Sequence, residues 1–109
     1  MADMGGVQSL SVTPSATVTL TLAAGVRHQL AAWTAAEAET VNISGTPLDG
    51  VTLTLVITND VSLGRIITLG TGFSANGTII GITSKRSTWS GVAAGGTFYE
   101  LSRVVGVLI

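Results

Sequence analysis

The chain has 109 residues, of which 46% are hydrophobic and only 10% charged, with 14 Gly, no Cys, a single His and a formal net charge of −1. That length suits one domain, and a typical composition would give it about 27 charged side chains, where this chain has 5 basic and 6 acidic residues. Over the accessible surface of roughly 5,600 Å² expected from the mass, so few charges leave a lone small domain poorly soluble, and much of the surface is expected to be covered in an assembly.

The same figures exclude several classes. Lys85-Arg86 is the only adjacent basic pair, so there is no electrostatic footprint for nucleic acid. Without Cys there are no disulfides, thiolate nucleophiles or cysteine metal sites. The apolar runs Leu53 to Ile57 and Val104 to Ile109 fall well short of the ~18 residues that span a bilayer. The N-terminus also lacks a basic region ahead of an apolar one, so neither secretion nor membrane insertion is expected.

In chain order, residues 1–15 mix Gly5-Gly6, Ser, Thr and Pro14 with isolated Val7, Leu10 and Val12, which predicts an extended N-terminal arm ahead of a single domain over 16–109. Val18, Leu20 and Leu22 alternate with Thr17, Thr19 and Thr21, the period of a half-buried strand. Val26 to Trp33 reads as a second strand. Thr34 to Glu39 is the only helix-like composition and is too short for more than a loop or one helical turn. Alternation resumes over Thr40 to Ser44, and Gly45-Thr46-Pro47-Leu48-Asp49-Gly50 carries turn chemistry. Val51 to Thr58 is the strongest strand, with Leu53, Leu55 and Ile57 facing one way. Arg65 to Leu69 follows, then a loop at Gly70 to Phe73. Asn76-Gly77 has the sequence of a type I′ hairpin turn leading into Thr78 to Thr83. Ser87 to Ser90, Thr97 to Ser102 and Val104 to Ile109 end the chain. About eight short strands with Gly-rich turns predict an all-β domain, a small β-sandwich or jelly-roll-like fold.

Catalytic chemistry finds little support. His28 is the only histidine, and any Ser-His-Asp arrangement would need it beside Asp3, Asp49 or Asp60; on its strand it reads instead as a core-edge or interface histidine. Glu37 and Glu39 are spaced like two carboxylates on one side of an extended segment, yet a domain this small lacks the cleft a glycosidase needs. Gly70-Thr71-Gly72 has no GK[ST] after it and reads as a turn. One His and scattered carboxylates do not make a metal site. No enzyme, metal or cofactor is expected. Asn42-Ile43-Ser44 and Asn76-Gly77-Thr78 match the glycosylation sequon without a secretory context. Trp33, Phe73, Trp89, Phe98 and Tyr99 read as core aromatics ahead of a sugar-stacking platform, so a host glycan partner is without support. Thr-rich, weakly charged strand faces suit packing against other copies or another protein.

Four stretches carry a resemblance: Ser44-Gly45-Thr46-Pro47-Leu48-Asp49-Gly50, Leu53-Thr54-Leu55-Val56-Ile57-Thr58-Asn59-Asp60, Arg65-Ile66-Ile67-Thr68-Leu69-Gly70-Thr71-Gly72-Phe73 and Tyr99-Glu100-Leu101-Ser102-Arg103. Together they resemble a recurring β-module of tailed-bacteriophage virion proteins, found on capsid decoration proteins and at tail-fibre or spike ends. The likeness runs from Ser44 to Arg103. Where similar modules carry an Asp-Gly-Thr-x-Trp hairpin, this chain has Gly95-Gly96-Thr97-Phe98-Tyr99. The resemblance implies a β-rich homotrimer on the outer capsid surface of a virion, made in the host cytoplasm, that binds the major capsid protein and stabilises the lattice as a cement. It comes ahead of a tail-fibre or spike component, which usually follows a long shaft, and of a carbohydrate-binding module. In that reading Val7, Leu10 and Val12 of the arm contact the capsid. Val104, Val105, Val107, Leu108 and Ile109 form the trimer interface.

Overall fold

A computed structural model of the chain describes residues 7–62, 64–74 and 77–107. Among these, nine strands and no helix occur: β1 (Val7–Ser9), β2 (Thr17–Thr21), β3 (His28–Ala35), β4 (Glu39–Ser44), β5 (Thr52–Asn59), β6 (Ile66–Leu69), β7 (Thr78–Ile80), β8 (Arg86–Ala94) and β9 (Thr97–Val107). They make two mixed sheets, one in the order β1-β3-β5-β8-β9 and one in the order β2-β4-β6-β7. The all-β class is the one that the alternation predicts.

The path of the chain differs from the expected one. Successive strands up to β6 alternate between the sheets, and each pairs in parallel with the strand two places earlier: Val7 lies beside His28 and His28 beside Thr52 in one sheet, Thr17 beside Thr40 and Thr40 beside Thr68 in the other. The chain therefore coils, laying one strand on each sheet per turn. A jelly roll is built from antiparallel strands, so this order is not jelly-roll-like. Only β7, β8 and β9 pair antiparallel, ending the coil at one side.

Period-two alternation explains the core. Val18 and Leu20 of β2, Val41 and Ile43 of β4, and Ile67 and Leu69 of β6 point inward from one sheet. Ala31 and Trp33 of β3, Leu53, Leu55 and Ile57 of β5, and Trp89 of β8 point inward from the other. All belong to one buried cluster, and each fully buried Leu contributes about 2 kcal/mol. Phe73 meets Trp89 edge to face at 5.1 Å between ring centroids and an interplanar angle of 80°, a geometry favoured by the ring quadrupoles.

Within the segment read as an extended arm, Val7 to Val12 lie along the body: β1 pairs with the edge of β3, Leu10 N–H donates to Leu30 O at 2.8 Å, and Leu10 and Val12 pack on the core. Of the loop or single helical turn expected at Thr34 to Glu39, the structure has the loop, three residues long between the end of β3 at Ala35 and the start of β4 at Glu39. The type I′ turn expected at Asn76-Gly77 involves Asn76, which lies outside the described residues. A two-residue turn with both φ positive joins β8 to β9 at Gly95 (φ 65) and Gly96 (φ 89), a conformation that Gly adopts freely and Asn more readily than other residues. The two C-terminal strands expected at Thr97 to Ser102 and Val104 to Ile109 are a single bulged strand over the described residues, with register shifts against β8 and Gly106 at φ 79.

Candidate functional site

The elements place the residues singled out for chemistry far apart. His28 opens β3 and shares a 2.7 Å hydrogen bond between Nδ1 and Thr52 Oγ1. Asp49 Oδ1 accepts from Gly95 N–H at 2.9 Å, capping the β8–β9 turn. Asp60 lies beyond the other end of β5, paired with Arg65 through Nε to Oδ1 at 2.9 Å and Nη2 to Oδ2 at 2.7 Å. That guanidinium holds the Asp60 carboxyl below its ordinary value, chiefly through the hydrogen bonds. Asp3 lies outside the described residues. Among those that are described, no three of His, Asp and Glu gather as metal ligands would.

Glu37 and Glu39 part company. Glu37 is exposed in the link between β3 and β4, while Glu39 is buried at the start of β4. The three-residue link folds the two strands against each other through their side chains, and Trp33 Nε1–H donates to Glu39 Oε1 at 2.7 Å across the bend. Glu39 Oε2 is buried without a hydrogen-bond partner. Burial pushes the Glu39 carboxyl above its ordinary value, the Trp33 bond opposes this in part, and nearby Glu37 adds to the rise. Nothing in the sequence marks this inward acid, because a Glu two residues from another reads as solvated.

The aromatics form no platform. Trp33, Phe73, Trp89 and Phe98 are buried, which leaves Tyr99 exposed on β9. Trp89 Nε1–H donates to Glu100 Oε1 at 3.1 Å, and Arg103 grips the same carboxylate through Nε at 2.8 Å and Nη2 at 2.7 Å. Arg103 holds the Glu100 carboxyl below its ordinary value. Its Nη1 also donates to Thr78 O of β7 at 2.7 Å, and Phe98 N–H donates to Gly72 O at 2.8 Å. This edge is thus where the two sheets are tied together. Asn42 of the first sequon is occupied, accepting from Thr71 N–H at 2.8 Å. Gly70-Thr71-Gly72 is a turn, and its Thr71 O accepts from Ile43 N–H.

The residues expected to make assembly contacts divide. Val7 is exposed, whereas Leu10 and Val12 are partly buried against the chain's own core. Val104 and Val105 are exposed on the edge strand β9, Val107 ends that strand, and Leu108 and Ile109 lie outside the described residues. Exposed Ile66, Ile80 and Ile82 lie along the β6–β7 side. A cleft of about 460 Å³, which the sequence did not announce, opens between the loops 22–27 and 45–51. Its Gln29 is committed to the loop itself, accepting from Ala23 N–H and donating to the carbonyls of Ala23 and Val26.

Charge follows the same geometry. Arg27 and Asp49 sit in loops at one end of the strands; Glu37, Asp60, Arg65 and Lys85 sit in loops at the other, with Arg86 opening β8 beside Thr58. Glu100 and Arg103 neutralise each other at the tied edge. Between these poles the outer face of the four-stranded sheet carries no charge, presenting Thr17, Thr40, Thr68 and Thr78 in one row. No protein-family model and no curated protein matches the chain.

Proposed function

We propose that this chain is a structural virion protein of a tailed bacteriophage, a capsid decoration protein that forms a homotrimer and cements the outer capsid lattice. The observation that carries the reading is that, apart from the mutually paired Glu100 and Arg103 on β9, the charges of the described residues lie at the two ends of the strands, with uncharged Thr-rich flanks between them. Such flanks suit a subunit whose sides are covered by neighbours and whose ends face solvent. The fold that goes with it is a two-sheet sandwich wound as a coil. In the trimer the exposed Val104 and Val105 of β9 pack against a neighbouring copy. The N-terminal strand β1, paired to β3 on one side, offers its outer edge to the major capsid protein, a form of strand addition. Leu10 and Val12 have no part in that contact, being engaged by their own core.

Binding only to the assembled lattice stabilises it by mass action, without chemistry, and many weak contacts act together through multivalency. The test is to add the purified chain to virions of the parent phage that lack it and to follow thermal release of the genome. The chain should bind and raise the release temperature. Failure to bind the capsid would overturn the decoration reading, and binding confined to the tail would favour a fibre or spike component.

A further inference from the structure

We infer that the outer face of the five-stranded sheet is an interface for a second copy of this chain, centred on Val56 and Thr88. Parallel and antiparallel registers align side chains across all five strands. One row is Ser9, Leu30, Thr54, Ser90 and Ser102. The next is Ala32, Val56, Thr88 and Val104. Neither row contains a charge, and the second is apolar but for one hydroxyl.

The basic groups that the described residues place on this face are at its two ends, each turned onto a threonine of the same face, and the Tyr99 phenol lies in the His28 row. His28 shares its 2.7 Å hydrogen bond with Thr52, and Arg86 Nε–H donates to Thr58 Oγ1 at 3.3 Å. No carboxylate lies on the face to attract a basic partner, and one guanidinium at its rim does not attract an acidic one. An uncharged surface is complementary to another uncharged surface, and the one such surface known to accompany every copy is that of another copy.

Size agrees. Five strands ~4.8 Å apart and four rows of side chains ~6.7 Å apart cover a patch of about 25 by 25 Å, on the order of 600 Å² per copy. Two copies together bury about 1,200 Å², the lower end of the range for specific stable interfaces. The exposed Val104 places the rim of the expected β9 contact on the same surface.

The inference deepens the assembly part of the proposed function and rests on it, but not on the capsid. Its test is sedimentation of the purified full chain at micromolar concentration, beside Thr88→Lys and Ser102→Lys on this face and Ala24→Lys in an exposed loop at one end of the strands. Wild type and Ala24→Lys should sediment at two or three times the 11.0 kDa of one chain. Both face variants should weaken association by about tenfold or more, because a Lys buried without a partner is not tolerated at such a contact, while keeping the wild-type far-UV spectrum. Two substitutions guard against one that fails to fold. A monomeric wild type, or face variants that assemble like Ala24→Lys, would overturn the inference. Assembly through this face by a chain that does not bind virions would overturn the capsid reading alone.

Discussion

Glu39 offers the sharpest test of how the two sheets are joined. The side chain is 3% exposed, with one oxygen engaged by Trp33 at 2.7 Å and the other unpartnered. Leaving a buried acceptor unsatisfied costs about 1–3 kcal/mol, and more when it is charged. Because burial raises its pKa above the ordinary value of a Glu carboxyl, the folded chain binds this proton more tightly than the unfolded one. The stabilisation associated with it is therefore complete below the unfolded value and is lost as pH rises through the folded value. Glu39→Gln keeps an acceptor for Trp33 and removes the charge, so it should stabilise the chain by about 1–2 kcal/mol at pH 7, or roughly 3–10 °C in Tm for a domain of this size. At pH 4 wild type and variant should melt together. Circular dichroism melts at the two pH values read this directly. A Glu39→Gln variant that melts lower than wild type at pH 7, or gains equally at both pH values, would refute the assignment of a buried, proton-binding acid.

Other outcomes follow from the same geometry. Arg103→Ala breaks the grip on Glu100 and the bond to Thr78 O, and should cost about 1–2 kcal/mol by chemical denaturation. Because Glu100 is held below its ordinary value, the pair stabilises above the unfolded pKa and its contribution fades as pH falls through the folded one, so the Arg103→Ala deficit should shrink in acid. Trp89→Ala empties a fully buried position at the centre of the core and should cost about 3–5 kcal/mol, measured by the urea midpoint. Replacing Gly95 and Gly96 together by Ala puts two Cβ atoms at positive φ and should cost about 1–2 kcal/mol per position, whereas Gly95→Asn should be nearly neutral. Intrinsic fluorescence should be blue-shifted in the native chain, since Trp33 and Trp89 are both buried, and should move red on unfolding.

What the sequence disclosed is what depends on period alone. Thr17 to Thr21 and Thr52 to Thr58 alternate so strictly that their inward and outward sets are fixed before any partner is known. Alternation says nothing about which strand lies alongside, and a link as short as Ala36 to Ala38 invites a hairpin. The chain instead bends so that Trp33 and Glu39 meet side chain to side chain while their backbones bond to β5 and β6. The Gly and Pro of residues 1–15 suggested an arm because β1 is three residues long, too short to show a period. At the C-terminus, Arg103 reads as a break between two strands, although it pairs with Trp89 and register shifts let β9 run on through it. Of the candidate assembly residues, Val104 and Val105 belong to an apolar run that by itself argues burial, yet both are exposed on the single chain. The uncharged face behind them was not legible, since it exists only through the registers of five strands.

The proposed virion role is tested most directly by counting. Quantitative mass spectrometry of purified virions of the parent phage, measured against the major capsid protein, gives the copy number of this chain. A number comparable to that of the capsid protein is the predicted result, and a few trimers per particle would move the chain to the tail. Its absence from virions would contradict the account.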